Sequence, residues 1–371
     1  ISKSGNNVLV FNGEIYNHLE LREEFNNFKW RGRSDTETLI ECIDHWGLEK
    51  SLNKSIGMFA FAVWNTIEKK LTLVRDRIGE KPLYYGWQGN SFIFSSELKS
   101  FRQHPSFENL IDRNSLSLQI DYGYIPAPFS IYKNIYKLLP GSFIDLNFNG
   151  LNLTLNKPKK YWSFLKKINN KNAEGSQPSQ TEYLDKLTTL LKKSVKRQMI
   201  ADVPLGAFLS GGVDSSIIAA LMQSQSNNPI NTFTIGFNES NYNEALYAKK
   251  ISQYLGTNHT EYYIGPKESL DLIPNISSIY DEPFGDSSQI PTLILSNLAK
   301  QKVKVALSGD GADEFFGGYN RYFLTNSIWN SIKFFPPKIR YLLFKFLLSI
   351  PPSLWNHIFK VLNFIIPNKY K

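Results

Sequence analysis

The chain has 371 residues, 42% hydrophobic and 20% charged, which excludes wholesale disorder and suits two domains of about 150–200 residues. Its net charge of +9 comes from scattered lysines and arginines, apart from "NKPKK" near Lys157 and a C-terminal part without acids after Asn326. With no arginine cluster or recognition motif, that charge argues against a nucleic-acid binder and for ATP or pyrophosphate as the anionic partner. Cys42 is the only cysteine, which excludes an internal disulfide and fits a reducing, cytoplasmic setting.

The text opens at Ile1 in mid-pattern, "NNVLVFNGEIYN", so residues upstream of it are expected. From Val8 to about Leu146 short β-branched or aromatic runs dominate: "NVLVFNG", "MFAFAVWN", "KLTLVRD", "PLYYGWQ", "SFIFSS" and "SFIDLNF". Each is bounded by Gly, Asn or Asp and reads as a strand. One helical pattern, Asp35 to His45, interrupts them. Strand pairs with few helices predict an α+β sheet domain over residues 1–146. Residues 147–180, rich in Asn, Lys and Ser, read as a linker.

In residues 181–371 the pattern alternates. Leu184, Leu187, Leu191, Val195 and Met199 stripe one helical face, with Thr181 as the expected N-cap. Strand "VPLGAFL", helix "SSIIAALMQS", strand "NTFTIGF", a helix closed by Gly256, and strands "HTEYYI" and "VKVALS" follow. This alternation predicts a parallel sheet wrapped by helices, an α/β domain. The apolar C-terminal run is broken by lysines and a Pro-Pro pair, short of the ~20 residues a membrane span needs. It reads as amphipathic helices.

The chemistry concentrates where strands end, as it does for ligands in open α/β sheets. In "FLSGGVDSS", Gly211 and Gly212 let the backbone approach an anion, while Ser210, Ser215, Ser216 and a helix N-terminus supply donors. The spacing is neither a Walker loop nor a Rossmann fingerprint. Asp214 would repel phosphates unless a magnesium ion lay between them, which makes it a candidate metal ligand. "SGDGADEFFGG" follows a second apolar strand, with Asp310, Asp313 and Glu314 crowded enough to need a cation or amine. "DEPFGDSSQIP", from Asp281 to Pro291, stands where a loop would bound the pocket. The bland readings are a capped glycine turn and a solvated acidic loop. The five histidines show no ligand spacing.

Together "FLSGGVDSS", "FTIGF" and "SGDGADEFFGGYNRY" resemble the synthetase domain of glutamine-dependent asparagine synthetases of the bacterial B type. "FNGEIYNH", "RSDTETLIE", "RDRIGEKPLYYG" and "FSSELKS" are similar to that family's glutaminase domain. The resemblance implies an Ntn-type sheet sandwich followed by an ATP-pyrophosphatase domain. The implied activity is ATP-dependent amidation of aspartate through an acyl-adenylate, with glutamine as nitrogen donor in the full-length enzyme. It further implies that Ser210–Ser216 hold the β- and γ-phosphates and that Phe208, Leu209 and Ile235 line the adenine and ribose pocket. Ser308 and Gly309 would touch the nucleotide, Asp214 and Asp313 would hold magnesium, and Asp310 would assist adenylation.

In the first domain Asn12 and Gly13 match the oxyanion-hole pair, and Glu14 and Asp35 the residues that hold glutamine's amino end. Alone, these two motifs would read as a hairpin turn and a helix start. The family's N-terminal cysteine, the arginine segment behind it and a C-terminal helper lysine find no match, and Cys42 reads as a core thiol. The polypeptide as written is therefore not expected to hydrolyse glutamine. Rival readings are a related amidotransferase for another carboxylate, such as a sugar acid, since "DEPFGDSSQIP" lies where the acceptor carboxylate should bind, and a non-catalytic nucleotide- or glutamine-binding relative. A homodimer stays open.

Overall fold

The computed structural model describes residues 1–149, 152–169, 179–237 and 243–362. The chain forms two compact units, Ile1–Ser308 and Gly309–Lys371.

The first unit begins with β1 (Asn7–Ile15), α1 (His18–Glu23), α2 (Asp35–Trp46) and α3 (Leu48–Lys54). Strands β2 (Gly57–Asn65), β3 (Lys70–Arg75), β4 (Tyr84–Gln88) and β5 (Ser91–Ser95) follow, then α4 (Leu98–Phe101), α5 (Arg113–Tyr122) and β6 (Ile135–Lys137). Strands β7 (Ser142–Asn149), β8 (Asn152–Leu155) and β9 (Lys159–Lys160) complete this region before α6 (Phe164–Asn169). One sheet runs β1-β2-β3-β7-β8, with β9 also on β7; a second runs β5-β4-β6.

The strand period of two builds the layers. On β2, Phe59, Phe61 and Val63 face α2, where they meet buried Leu39, Cys42 and Ile43. The alternate Ala60 and Ala62 face the second sheet, against Leu83, Tyr85 and Leu138. Small residues on that face let the sheets approach, while each large core side chain on the other contributes about 1.5–3 kcal/mol by leaving water. Tyr84, one residue from Tyr85, points to the outer face with Leu98, Phe101 and Ile135. This is the expected α+β sandwich.

It differs from expectation at its end. The stretch read as a linker from residue 147 continues the sheet: Leu146 pairs with Leu155, and Ser142 with Lys160. Its polar composition reflects edge strands with exposed faces. The rest of the stretch, residues 170–178, lies outside the described residues.

The α/β part holds α7 (Gln180–Gln198), β10 (Leu205–Phe208), α8 (Val213–Gln223), β11 (Asn231–Phe237), α9 (Ala245–Leu255) and β12 (Asn258–Ile264). Then come α10 (Pro266–Leu272), α11 (Ile276–Ile279), α12 (Gln289–Ala299) and β13 (Val305–Leu307). Helix α7 starts two residues earlier than expected. Ser179, not Thr181, caps it, its hydroxyl accepting from the Glu182 N–H while the Glu182 carboxylate returns to the Ser179 N–H. That reciprocal pair defeats a lone threonine.

The sheet is parallel in the order β12-β11-β10-β13. Ala207, Leu209 and Leu307 face Val195, Ala219, Met222 and Ala248 of α7, α8 and α9. Phe208 and Phe233 face Leu295 and Ala299 of α12. The chain steps from β10 outward to β11 and β12, then returns to place β13 on β10's other side. The topological switch point, where such sheets bind ligands, therefore lies between β10 and β13.

The second unit carries α13 (Ala312–Phe316), α14 (Asn320–Ile332), α15 (Pro337–Ser349) and α16 (Pro352–Leu362). Proline opens the last two, where the missing N–H costs nothing. Among the described residues no helix is long and apolar enough to cross a membrane.

Candidate functional site

Two groups of expected residues come together in the first unit. On β1, Asn12, Gly13 and Glu14 run alongside Ala60, Phe59 and Met58 of β2. Gly13 cannot be replaced: a Cβ there would lie 2.2 Å from the Met58 carbonyl oxygen. Asn12 projects into a cavity of about 410 Å³ also lined by Phe61, Phe94 and Ser96, and its Nδ2 donates to Ser96 Oγ at 2.9 Å. Asp35, at the start of α2, is fixed by the Ile15 N–H (2.8 Å) and the Thr36 N–H (2.6 Å).

Burial raises the Glu14 carboxyl to about 7, with the neighbouring Asp35 carboxylate and Asp202 adding to the effect. His18 is buried beside them with Nδ1 unpartnered, and burial lowers its affinity for a proton. Crowded carboxylates of this kind are relieved by a ligand cation. Cys42 lies elsewhere, fully buried in the core, and burial pushes its thiol up to about 12. Such a thiol is inert.

The second group sits at the carboxyl end of β10. Gly211 has φ +88°, and a Cβ on it would stand 2.8 Å from Tyr247 Cβ and 2.9 Å from the Ala248 nitrogen. Only glycine lets the turn pass α9 so closely. Ser215 Oγ accepts from the Ser210 N–H at 3.2 Å and lies 2.9 Å from Ser210 Oγ, while Ser216 Oγ donates to the Gly212 carbonyl. Gly212 caps α8 without any side chain, leaving the helix start to an outside acceptor. The Asp214 carboxylate, in that first turn, has no hydrogen-bond or ion-pair partner among the described residues. The Leu209 side chain is buried in the core and its N–H donates to Phe233 O, so only its backbone can face a ligand. Phe208 also packs toward the core. Ile235 lies on β11 two residues beyond Phe233, the last residue paired with β10. Ser308 directly follows β13, whose Leu307 pairs with Ala207, so β10 and β13 release their chains at the same edge of the sheet.

In the second unit, Gly309 O accepts from the Ala312 N–H, and Gly311 and Gly317 hold left-handed backbone on either side of α13. Asp313 Oδ1 lies over Gly318, where a Cβ would come within 1.9 Å of it. Glu314 accepts from Tyr319 Oη at 2.6 Å. Asp310 sits at the start of this turn. Among the described residues no group of three His, Cys, Asp or Glu is placed to hold a metal.

A family model described as asparagine synthase matches residues 186–360, and one described as glutamine amidotransferase domain matches residues 1–162. A putative glutamine-hydrolyzing asparagine synthetase 2 of Methanocaldococcus jannaschii is 39% identical over 320 residues, 84% of this chain and 59% of that protein. Glutamine-hydrolyzing asparagine synthetase 1 of Bacillus subtilis is 34% identical over 316 residues, 85% of this chain and 48% of that protein. The chain belongs to the glutamine-hydrolysing asparagine synthetase family. It spans about half the length of the curated relatives it matches.

Within this asparagine synthetase family member, four acidic residues acquire roles that sequence reading missed. Asp76, in "RDRIGEKP", is fully buried and accepts backbone N–H bonds from Gly79, Glu80 and Lys81 at 2.6–3.0 Å and from Phe59 at 3.2 Å. It is a turn builder, and its sequence signal was an aspartate three residues ahead of a glycine. Asp202, from the loop before β10, adds its charge beside Glu14. Asp281 and Glu282, the first residues of the expected acceptor segment, are turned to the N-terminal sheet domain instead. Nothing local could reveal them, because their partners lie more than 150 residues away.

Proposed function

We propose that the chain belongs to an enzyme for ATP-dependent amidation of aspartate to asparagine, with glutamine as the nitrogen donor in the full-length protein, residues 1–160 forming the glutamine part and residues 181–371 the synthetase part. The observation that carries this reading is the uncapped, glycine-hinged start of α8 at the switch point between β10 and β13, in a chain of this family. The Gly211–Ser216 backbone and the α8 N-terminus would receive the β- and γ-phosphates, with Ser210 and Ser215 hydroxyls as further donors. Ser308, leaving the neighbouring strand at the same edge of the sheet, and Gly309 are proposed nucleotide contacts, and Asp310 is proposed to assist adenylation. Phe208, Leu209 and Ile235 would bound the nucleoside, Leu209 through its backbone.

The chemistry balances in two displacements. The aspartate side-chain carboxylate oxygen attacks the α-phosphorus and pyrophosphate leaves. Ammonia then attacks the activated acyl carbon, AMP leaves, and the extra proton passes to solvent or phosphate. The protein's part is to supply fixed donors to a leaving group with growing negative charge, and to keep water from the anhydride. Asp214, free and in the first turn of α8, fits a magnesium ligand, as one or two carboxylates plus phosphates satisfy that ion. Magnesium, when bound, would offset the charge on pyrophosphate; Asp313 is the second proposed ligand.

At the glutamine end, Asn12 Nδ2 and the Gly13 N–H would hold the developing oxyanion, and Glu14 with Asp35 the ammonium group. AMP release from ATP with ammonia is the test. Aspartate, and not a uronic acid, is expected to stimulate it and to yield asparagine. Stimulation by the uronic acid alone, or by neither, would overturn the proposal.

A further inference from the structure

We infer that Asp281 is a positioning residue that joins the glutamine end of the molecule to its acceptor segment; this rests on the functional reading above. The connection is a short series of bonds. Asn12 Nδ2 donates to Ser96 Oγ at 2.9 Å. Two residues on, the Leu98 and Lys99 N–H groups donate to Asp281 Oδ2 and Oδ1 at 2.6 and 3.1 Å. Lys99 Nζ reaches past them to the Ile279 carbonyl at 3.0 Å. Glu282, next in the chain, accepts from the Ile131 N–H at 2.8 Å and pairs with Lys137. The Gly285 N–H closes the contact on Gly123 O at 2.6 Å.

Two consecutive carboxylates at the head of the acceptor segment are thus both engaged by the other domain. A carboxylate bridging successive amides makes charge-assisted bonds that fix direction as well as distance. Leu98 and Phe101 are fully buried behind that turn, so it has no slack on its inner side. Any shift of Asp281 therefore travels through Glu97 to Ser96, the one side-chain partner of Asn12 among the described residues. Acceptor binding beyond Pro283 would in this way set the geometry of the oxyanion donor at the far end.

The product of the complete gene is compared with its Asp281→Asn and Ser96→Ala variants. Asparagine formation is measured from glutamine and from ammonia, with glutamate released per asparagine and hydrogen exchange at Leu98 and Lys99. Asn keeps the volume and an acceptor but loses the charge and one of the two bonds. In Asp281→Asn, glutamine-dependent synthesis should fall about tenfold or more while the ammonia-dependent rate stays within about twofold. The two amides should exchange faster, and more glutamate should be released per asparagine. Ser96→Ala should reproduce the rate split without changing exchange at Leu98 and Lys99.

Equal loss of both rates, an unchanged glutamine rate, or unchanged exchange in Asp281→Asn would overturn the inference. Failure of the functional reading shows separately, as no aspartate-dependent AMP release by the unsubstituted protein. The exchange result, read with the Asn12 side-chain amide resonance, then decides the positioning role: both unmoved by Asp281→Asn would overturn it, and both moved would support it.

Discussion

Glu14 and Asp76 are both carboxylates near β2, and their surroundings give them opposite work. Asp76 is surrounded by backbone N–H donors and organises the turn that supplies them. Asp76→Ala would leave several buried N–H groups without an acceptor, which costs about 3–5 kcal/mol; denaturant unfolding should show that loss with an unchanged slope. Glu14 is held up at about 7 by burial and by Asp35. Because the folded value is raised, the protonated form is the favoured one below it, and ionising the group lowers stability as pH rises from the ordinary carboxyl value through about 7. An ammonium ligand reverses this preference by stabilising the carboxylate. Glutamine binding at pH 6.5 should therefore release a proton, seen as buffer-dependent heat in calorimetry, and binding at pH 8.5 should not. Glu14→Gln should abolish the difference; a buffer-independent heat at pH 6.5 would remove Glu14 from the ammonium site.

At the level of elements, the turn between β10 and α8 depends on Gly211. Gly211→Ala adds a Cβ that meets the Tyr247 and Ala248 backbone region at under 3 Å, with a positive φ besides. The turn must move, and nucleotide affinity should fall about tenfold or more, whereas a surface change such as Lys193→Ala on α7 should leave it unchanged. This turn was legible in the sequence because its residues are adjacent and its strand and helix are strongly patterned. The long strands β1, β2, β3 and β7 were legible for the same reason, as was α2. The short strands β6, β8 and β9 were not: two to four residues carry no period, and their polar faces look like loop. Ser179 was misjudged in favour of Thr181 because Glu182, the partner that decides the cap, stands three residues from the former.

Across the whole molecule, what the sequence could not express was distance. Arg197, at the end of α7, makes a bidentate pair with Glu20 on α1 at 2.7–3.0 Å, and Asp281 and Glu282 reach residues more than 150 positions away. Local pattern gave both halves and the loops bearing the chemistry; tertiary contact alone gave the links between them. The polar residues at those links looked like solvated acids and bases.

The claim on which the rest stands is that the Ser210–Ser216 turn grips ATP for adenylation of aspartate. ATP–pyrophosphate exchange measures that step directly, without glutamine or ammonia. The unsubstituted protein should catalyse exchange only with aspartate and magnesium present, and Asp214→Asn should lower the rate by about a hundredfold. Exchange that is indifferent to aspartate, or that survives intact in Asp214→Asn, would contradict the account.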